Sequence, residues 1–287
     1  MKERRLAVFE TNHPVVPALY TLFALVFTMA SMQPVLIGIA LAGAFACNCC
    51  ARGVRATCAG LRWQLPVICI IALFNPLFSA SGSTVLFRLG ERAVYLESLA
   101  YGLAMGGLFV ASALWCMAAA HMLTFDKAMT LLGNAAPTVS LMICGTMRLI
   151  PRFVRRGHQV LAAQHAAGMP GSGADEVRDR LRLSSVLMGW GMEDSLETAD
   201  AMRARGWQAG VRRTSYTRYR FCDADAVAVV LIVLAAALCA VVAWAATSQY
   251  TFYPTMSRLV AWWGYIPYAA WMFFPACAHV INMRRFS

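Results

Sequence analysis

The chain has 287 residues, of which 60% are hydrophobic and only 14% charged, and its formal net charge is +11. Soluble domains carry about a quarter charged residues, and a soluble fold of this length would need more charge to cover its surface. That excludes an ordinary soluble enzyme, and the basic excess reads as the positive-inside bias of membrane proteins, with no nucleic-acid module present.

A membrane helix needs about 20 apolar residues to cross the hydrocarbon core. Candidate spans fall at 15–31, 33–50, 64–80, 97–123, 225–246 and 259–281, which predicts an all-α polytopic membrane protein of about six transmembrane helices. The start, Met1-Lys2-Glu3-Arg4-Arg5, is charged, but the apolar run after it outlasts a cleavable leader, so no signal peptide is expected. Only the Ser31-Met32-Gln33-Pro34 break separates the first two spans, which predicts a tight helical hairpin. The third span ends in Phe74-Asn75-Pro76-Leu77-Phe78, where proline is expected to break or kink the helix. Ser79–Thr84 then reads as a Ser/Gly loop. In the fourth span, Gly102-x-x-x-Gly106 with Gly107 permits close helix packing. Around the last span, Tyr250, Phe252, Tyr253, Trp262, Trp263, Tyr265 and Tyr268 suggest an interfacial aromatic belt.

Charge sets the orientation. Lys2, Arg4 and Arg5 mark the N-terminus, and Arg52, Arg55 and Arg62 the second loop. In the third loop Arg88 and Arg92 are balanced by Glu91 and Glu97. Residues 124–222 carry fourteen basic against eight acidic residues, 247–258 only Arg258, and the C-terminus Arg284 and Arg285. The alternation fits six spans with both termini cytoplasmic. The spans hold almost no ionisable groups: Glu97 and Asp225 lie at edges, His121 and His279 near ends. Ion and proton pathways need such groups, so the membrane part reads as a scaffold.

Most of the ten cysteines lie in apolar blocks, where cysteine packs as a small hydrophobe. Cys47-x-Cys49-Cys50 has no second Cys/His pair at zinc spacing, so no metal site is expected.

The organisation is then transmembrane helices one to four in 1–123, a polar cytoplasmic insertion in 124–222 and the last two spans in 223–287, as one integrated domain. Within the insertion, Pro137-Thr138 opens a helix to about Leu149, and Pro151 marks a bend and the first turn of the next. There Ile150, Phe153, Val154, Gly157 and Leu161 share one face, with Arg152, Arg155, Arg156 and Gln159 opposite. This helix ends at Ala167-Gly168, and a loop Met169–Ala174 follows. A charged segment, Asp175–Arg182, leads into a second amphipathic helix. On it Met188, Met192, Leu196, Ala199 and Met202 share a face, with Glu193, Glu197 and Asp200 opposite. Arg205-Gly206 stops it, either as an ordinary C-cap or as a tip whose guanidinium pairs with a partner's carboxylates.

Five stretches taken in order carry a family resemblance. They are Asn75-Pro76-Leu77-Phe78, Leu96-Glu97-Ser98-Leu99-Ala100-Tyr101-Gly102, Met147-Arg148-Leu149-Ile150-Pro151-Arg152, Ala162-Ala163-Gln164-His165-Ala166-Ala167-Gly168 and Ala201-Met202-Arg203-Ala204-Arg205-Gly206-Trp207. From about residue 13 to 220 the chain resembles the transmembrane T component of energy-coupling factor transporters, the family that includes the cobalt-transport permease. The resemblance implies a subunit of a bacterial plasma-membrane importer for a vitamin or a transition-metal ion. Its implied partners are the lipid bilayer, a small substrate-binding membrane subunit and two cytoplasmic ABC-type ATPases, which hold the ATP and magnesium. This chain itself would carry no cofactor and no catalytic residue.

The resemblance also implies two coupling helices that end in Ala-Arg-Gly motifs and transmit ATPase motion. Ala204-Arg205-Gly206 is intact, whereas the first motif, after Gln164, reads Ala166-Ala167-Gly168, with Ala167 in place of the arginine. Either one ATPase is then held mainly by packing, or a nearby base such as Arg155 or Arg156 serves. Pro151-Arg152 and Asn75-Pro76 are carried over as structural motifs.

Two other classes fit less well. A membrane-embedded enzyme needs paired catalytic groups, yet His13, His121, His158, His165 and His279 are scattered. A stand-alone secondary carrier needs intramembrane charge or an inverted repeat. The chain also lacks a G-x-x-x-x-G-K-[ST] nucleotide motif, as a non-ATPase subunit should.

Overall fold

The computed structural model describes residues 12–78, 84–89, 92–167, 174–207, 219, 221–252, 257 and 262–286. Their helices are α1 (Val15–Ala30), α2 (Pro34–Arg52), α3 (Val54–Phe78), α4 (Leu96–Met122), α5 (Phe125–Ala135), α6 (Pro137–Ala166), α7 (Ala174–Ala204), α8 (Asp223–Ser248) and α9 (Tyr265–Phe286). Between α3 and α4, strands β1 (Val85–Leu89) and β2 (Arg92–Tyr95) pair antiparallel. The chain divides into two compact units, Met1–Ala128 with Tyr219–Ser287, and Met129–Arg218.

In the first unit four helices are long and apolar enough to cross a membrane: α2, α3, α4 and α8. Two apolar helices, Val15–Ala30 and Tyr265–Ile281, are shorter. α4 packs against α1, α2 and α3, α9 against α2 and α8, and α8 against α1. Glycines set how closely the helices approach. A Cβ added at Gly102 would lie 3.0 Å from the Ala72 Cα, and one at Gly106 3.1 Å from the Ile68 Cα. The Gly102-x-x-x-Gly106 spacing is therefore the seam between α4 and α3, where small residues let backbones meet. Gly43 does the same for α2 on α9, where a Cβ would sit 2.8 Å from the Met272 carbonyl oxygen.

Several side chains inside this unit tie its helices together. Asn48 Nδ2 donates to the Leu114 carbonyl at 2.9 Å, pinning α2 to α4, and the Tyr20 hydroxyl donates to Trp271 O at 2.6 Å. Gln33 donates from its amide to the Tyr265 hydroxyl. Asp225 accepts the backbone N–H groups of His13 and Cys222, each at 3.1 Å. It closes a capping box at the start of α8 and holds the entry to α1 beside it. Glu97, in the first turn of α4, accepts from the Thr84 N–H and hydroxyl, so both acids at span edges have backbone N–H donors.

Several expectations change. The second loop is not a loop: α3 begins at Val54, directly after Gly53 at φ 88°, so Arg55 and Arg62 ride on the helix. Only glycine makes so abrupt a reversal cheaply. Pro76 does not end α3, which runs to Phe78, because a proline in a last turn leaves few helical bonds to lose. The third loop holds the β1–β2 hairpin, and α5 occupies a stretch where no helix was expected. The aromatic belt is divided. Trp262 and Trp263 are exposed, but Tyr250, Phe252 and Tyr268 are buried, with Phe252 edge-on to Tyr101 at 5.3 Å. Tyr253 lies outside the described residues.

In the second unit, Pro151 neither bends the chain into a new helix nor begins one, for α6 is continuous across it. The carbonyl of Met147 loses its helical partner there, on an exposed stretch where water can replace it. The charged segment Asp175–Arg182 belongs to α7 itself, and acids in a first turn favour a helix start.

Candidate functional site

α6 and α7 cross antiparallel. Phe153 meets Trp190 edge-on with ring centroids 5.4 Å apart, and the Arg156 guanidinium lies 5.6 Å over the Trp190 ring. Gly191 makes room for Phe153, since a Cβ there would fall 2.6 Å from Phe153 Cζ, and Gly157 faces Leu187 one turn further along α6. Arg152 pairs with Asp194 at 3.3 Å.

This seam differs from the expected one. Met188, Met192 and Leu196 were placed together on one apolar face, and they are; yet they are 71%, 65% and 67% exposed. α7 packs on α6 instead through Leu187, Trp190, Gly191 and Asp194. Two apolar stripes run along α7, and periodicity alone does not say which one finds a partner helix.

The end of α7 has a defined geometry. Gly206 takes φ 82°, its N–H donates to Arg203 O at 2.9 Å, and the Trp207 N–H donates to Met202 O at 3.0 Å. These are the two bonds of a Schellman cap, with Gly206 at C′ and Arg205 as the C-cap residue. Capping accounts for Gly206 but uses only the backbone of Arg205, whose side chain is exposed. Arg203 pairs loosely with Asp200, at 3.8 Å. Among the described residues Arg205 has no ion-pair partner.

The sister motif has another character. The Ala167 N–H donates to Ala163 O at 3.0 Å, Ala166 and Ala167 are exposed, and Gln164 is partly buried. The His165 side chain and Gly168 lie outside what is described. Because α6 and α7 run antiparallel, the two motifs sit at opposite ends of the crossed pair. Arg155 and Arg156 precede Ala167 by about 18 and 16 Å of helix axis. Arg156 is also engaged over Trp190.

From the crossing, the first half of α6 and the last half of α7 enclose a cleft of about 550 Å³. Arg148, Arg152 and Arg205 line it, with Asp194 as the one acid. The structure thus brings Arg152 and Arg205 to one feature, together with Arg148, which sequence reasoning had not singled out. The available signal was spacing: Arg148 and Arg152 are four apart, hence on one helix face. Asn75 and Pro76 belong to the other unit, where Asn75 is partly buried against the Gly102 seam and Pro76 is buried.

Compared with known proteins, the chain matches no family model and none of the curated proteins. Among the described residues no three His, Cys, Asp or Glu side chains are grouped so as to hold a metal ion.

Proposed function

We propose that this chain is the transmembrane coupling subunit, the T component, of an ATP-driven importer of the energy-coupling factor type. The observation that carries the reading is the end of α7, where an exposed Arg205 stands on a Schellman-capped helix with no ion-pair partner among the described residues. The ordered family-like stretches, the four apolar helices and the absence of a nucleotide motif support it.

On this reading α1 and α9 complete six spans with both termini cytoplasmic. At 16 residues, α1 would be about 24 Å long, under the roughly 30 Å of hydrocarbon. Its contacts with α4 and α8 bury one face against protein, while Leu22, Val26 and Met29 stay exposed on the other. α6 and α7 act as coupling helices for two ABC-type ATPases, which hold ATP and magnesium, and a small membrane subunit binds the vitamin or transition-metal ion. Arg205 pairs with carboxylates on one ATPase, and the Ala166-Ala167 end offers only packing to the other.

Affinity purification of the tagged chain, expressed with its native gene neighbours, tests this. Two ATPases and a small membrane protein should co-purify. Recovery of the chain alone under conditions that keep its helical content would overturn the reading.

A further inference from the structure

The cleft between α6 and α7 is charged unevenly. Three guanidinium groups line it against one carboxylate, and Arg148 and Arg205 have no ion-pair partner among the described residues. Its remaining walls include Leu141, Leu149 and Met202. Asp194, 3.3 Å from Arg152, is the one carboxylate already lining the cleft.

We propose that this cleft is a receptor for an acidic, amphipathic segment of a partner protein, with Arg148 and Arg205 receiving its carboxylates beside the Arg152–Asp194 pair. Guanidinium keeps its charge and its planar fork matches a carboxylate, and apolar walls accept the intervening side chains. The spread of the arginines selects a peptide over a phosphate headgroup. Arg148 and Arg152 stand one turn apart on α6, whereas Arg205 is on α7, about 16 Å of helix beyond Asp194. One phosphate needs donors that converge on a point; carboxylates spaced along a peptide do not. The inference goes beyond the T-component reading and does not depend on it. There Arg205 enters a groove on a partner, whereas here the partner's segment also enters this chain.

The cleft carries its own reporter, since Cys144 lines it and is exposed. The 287-residue chain in phosphatidylcholine nanodiscs is treated with maleimide, and alkylation is read residue by residue by mass mapping. The probe is a short synthetic peptide of paired Leu and Glu, beside its Leu–Gln counterpart. Exposed Cys58, in the other unit, is the control for fold and reagent. The Glu peptide should slow Cys144 alkylation about tenfold, equivalent to roughly 1.4 kcal/mol, and leave Cys58 unchanged. The Gln peptide should not protect, and Arg148→Gln with Arg205→Gln should abolish protection. Equal protection by the Gln peptide, or undiminished protection in the double variant, overturns the proposal. So does protection by phosphatidylglycerol nanodiscs without peptide, which would make the cleft a lipid-headgroup site. If the double variant unfolds, salt decides with the unaltered chain: protection that does not weaken with ionic strength also overturns the proposal. Peptide protection without ATPase co-purification would leave the cleft standing and remove the T-component reading.

Discussion

In the unit of Met1–Ala128 and Tyr219–Ser287, helices meet backbone to backbone. Gly43, Gly102 and Gly106 bring α2 onto α9 and α4 onto α3, and Asn48 adds a hydrogen bond from α2 to α4. In Met129–Arg218 two long helices touch through a short seam of Phe153, Trp190 and two glycines, and a row of methionine and leucine side chains stays uncovered. The first unit satisfies its own helices, and its outward apolar side chains suit a lipid solvent. On the second unit Glu193, Glu197 and Asp200 share the same turns of α7 as the uncovered stripe. One unit is cohesive by its own packing, and the other leaves an apolar stripe uncovered.

The sharpest way to break that contrast is to fill a glycine seam. Gly43→Leu drives a side chain into the Met272 backbone, and the loss should reach about 3 kcal/mol or more, read as a collapse of the melting temperature in detergent. A variant that melts normally would show that α2 and α9 are not locked. Next is Arg205→Glu. The residue is exposed, so insertion and melting should be unchanged, while ATPase co-purification should fall by about 2–5 kcal/mol in affinity. Full binding and uptake by this variant would remove Arg205 from the mechanism. A smaller effect is expected for Asn48→Ala, about 1 kcal/mol of stability from one interhelical hydrogen bond. The smallest change goes the other way. Gly145 has open space around its Cβ position within α6, so Gly145→Ala should stabilise that helix by about 0.5–1 kcal/mol, seen as slower amide exchange around it.

The apolar spans were legible because a bilayer demands length, and α8, Asp223–Ser248, lies within two residues of its expected 225–246 at either end. Boundaries set by one residue were not. Gly53 turns the chain without a polar loop, so the start of α3 was placed ten residues late. Pro151 was read as a breaker because local rules weigh its missing N–H and not the α6–α7 seam two residues later. The hairpin had a usable signal in Val85-Leu86-Phe87-Arg88-Leu89 and Arg92-Ala93-Val94-Tyr95, two β-rich runs separated by Gly90-Glu91. The capped end at Arg205-Gly206 was visible as composition, whereas the cleft needed three dimensions, since Arg205 reaches Arg148 and Arg152 only through the crossing.

That crossing also gives α7 a mechanical character. With Gly191 against Phe153 as a fulcrum, the helix has arms of about 20 Å to Ala204 and about 26 Å to Ala174. A tilt of about ten degrees on the fulcrum would carry the Ala204 end through roughly 3 Å, about the length of a hydrogen bond. Glycine at that point leaves the Phe153 ring as the bearing surface, and were α7 to rock on it, a push at the capped end would arrive reversed in direction and slightly magnified at the far end of the rod.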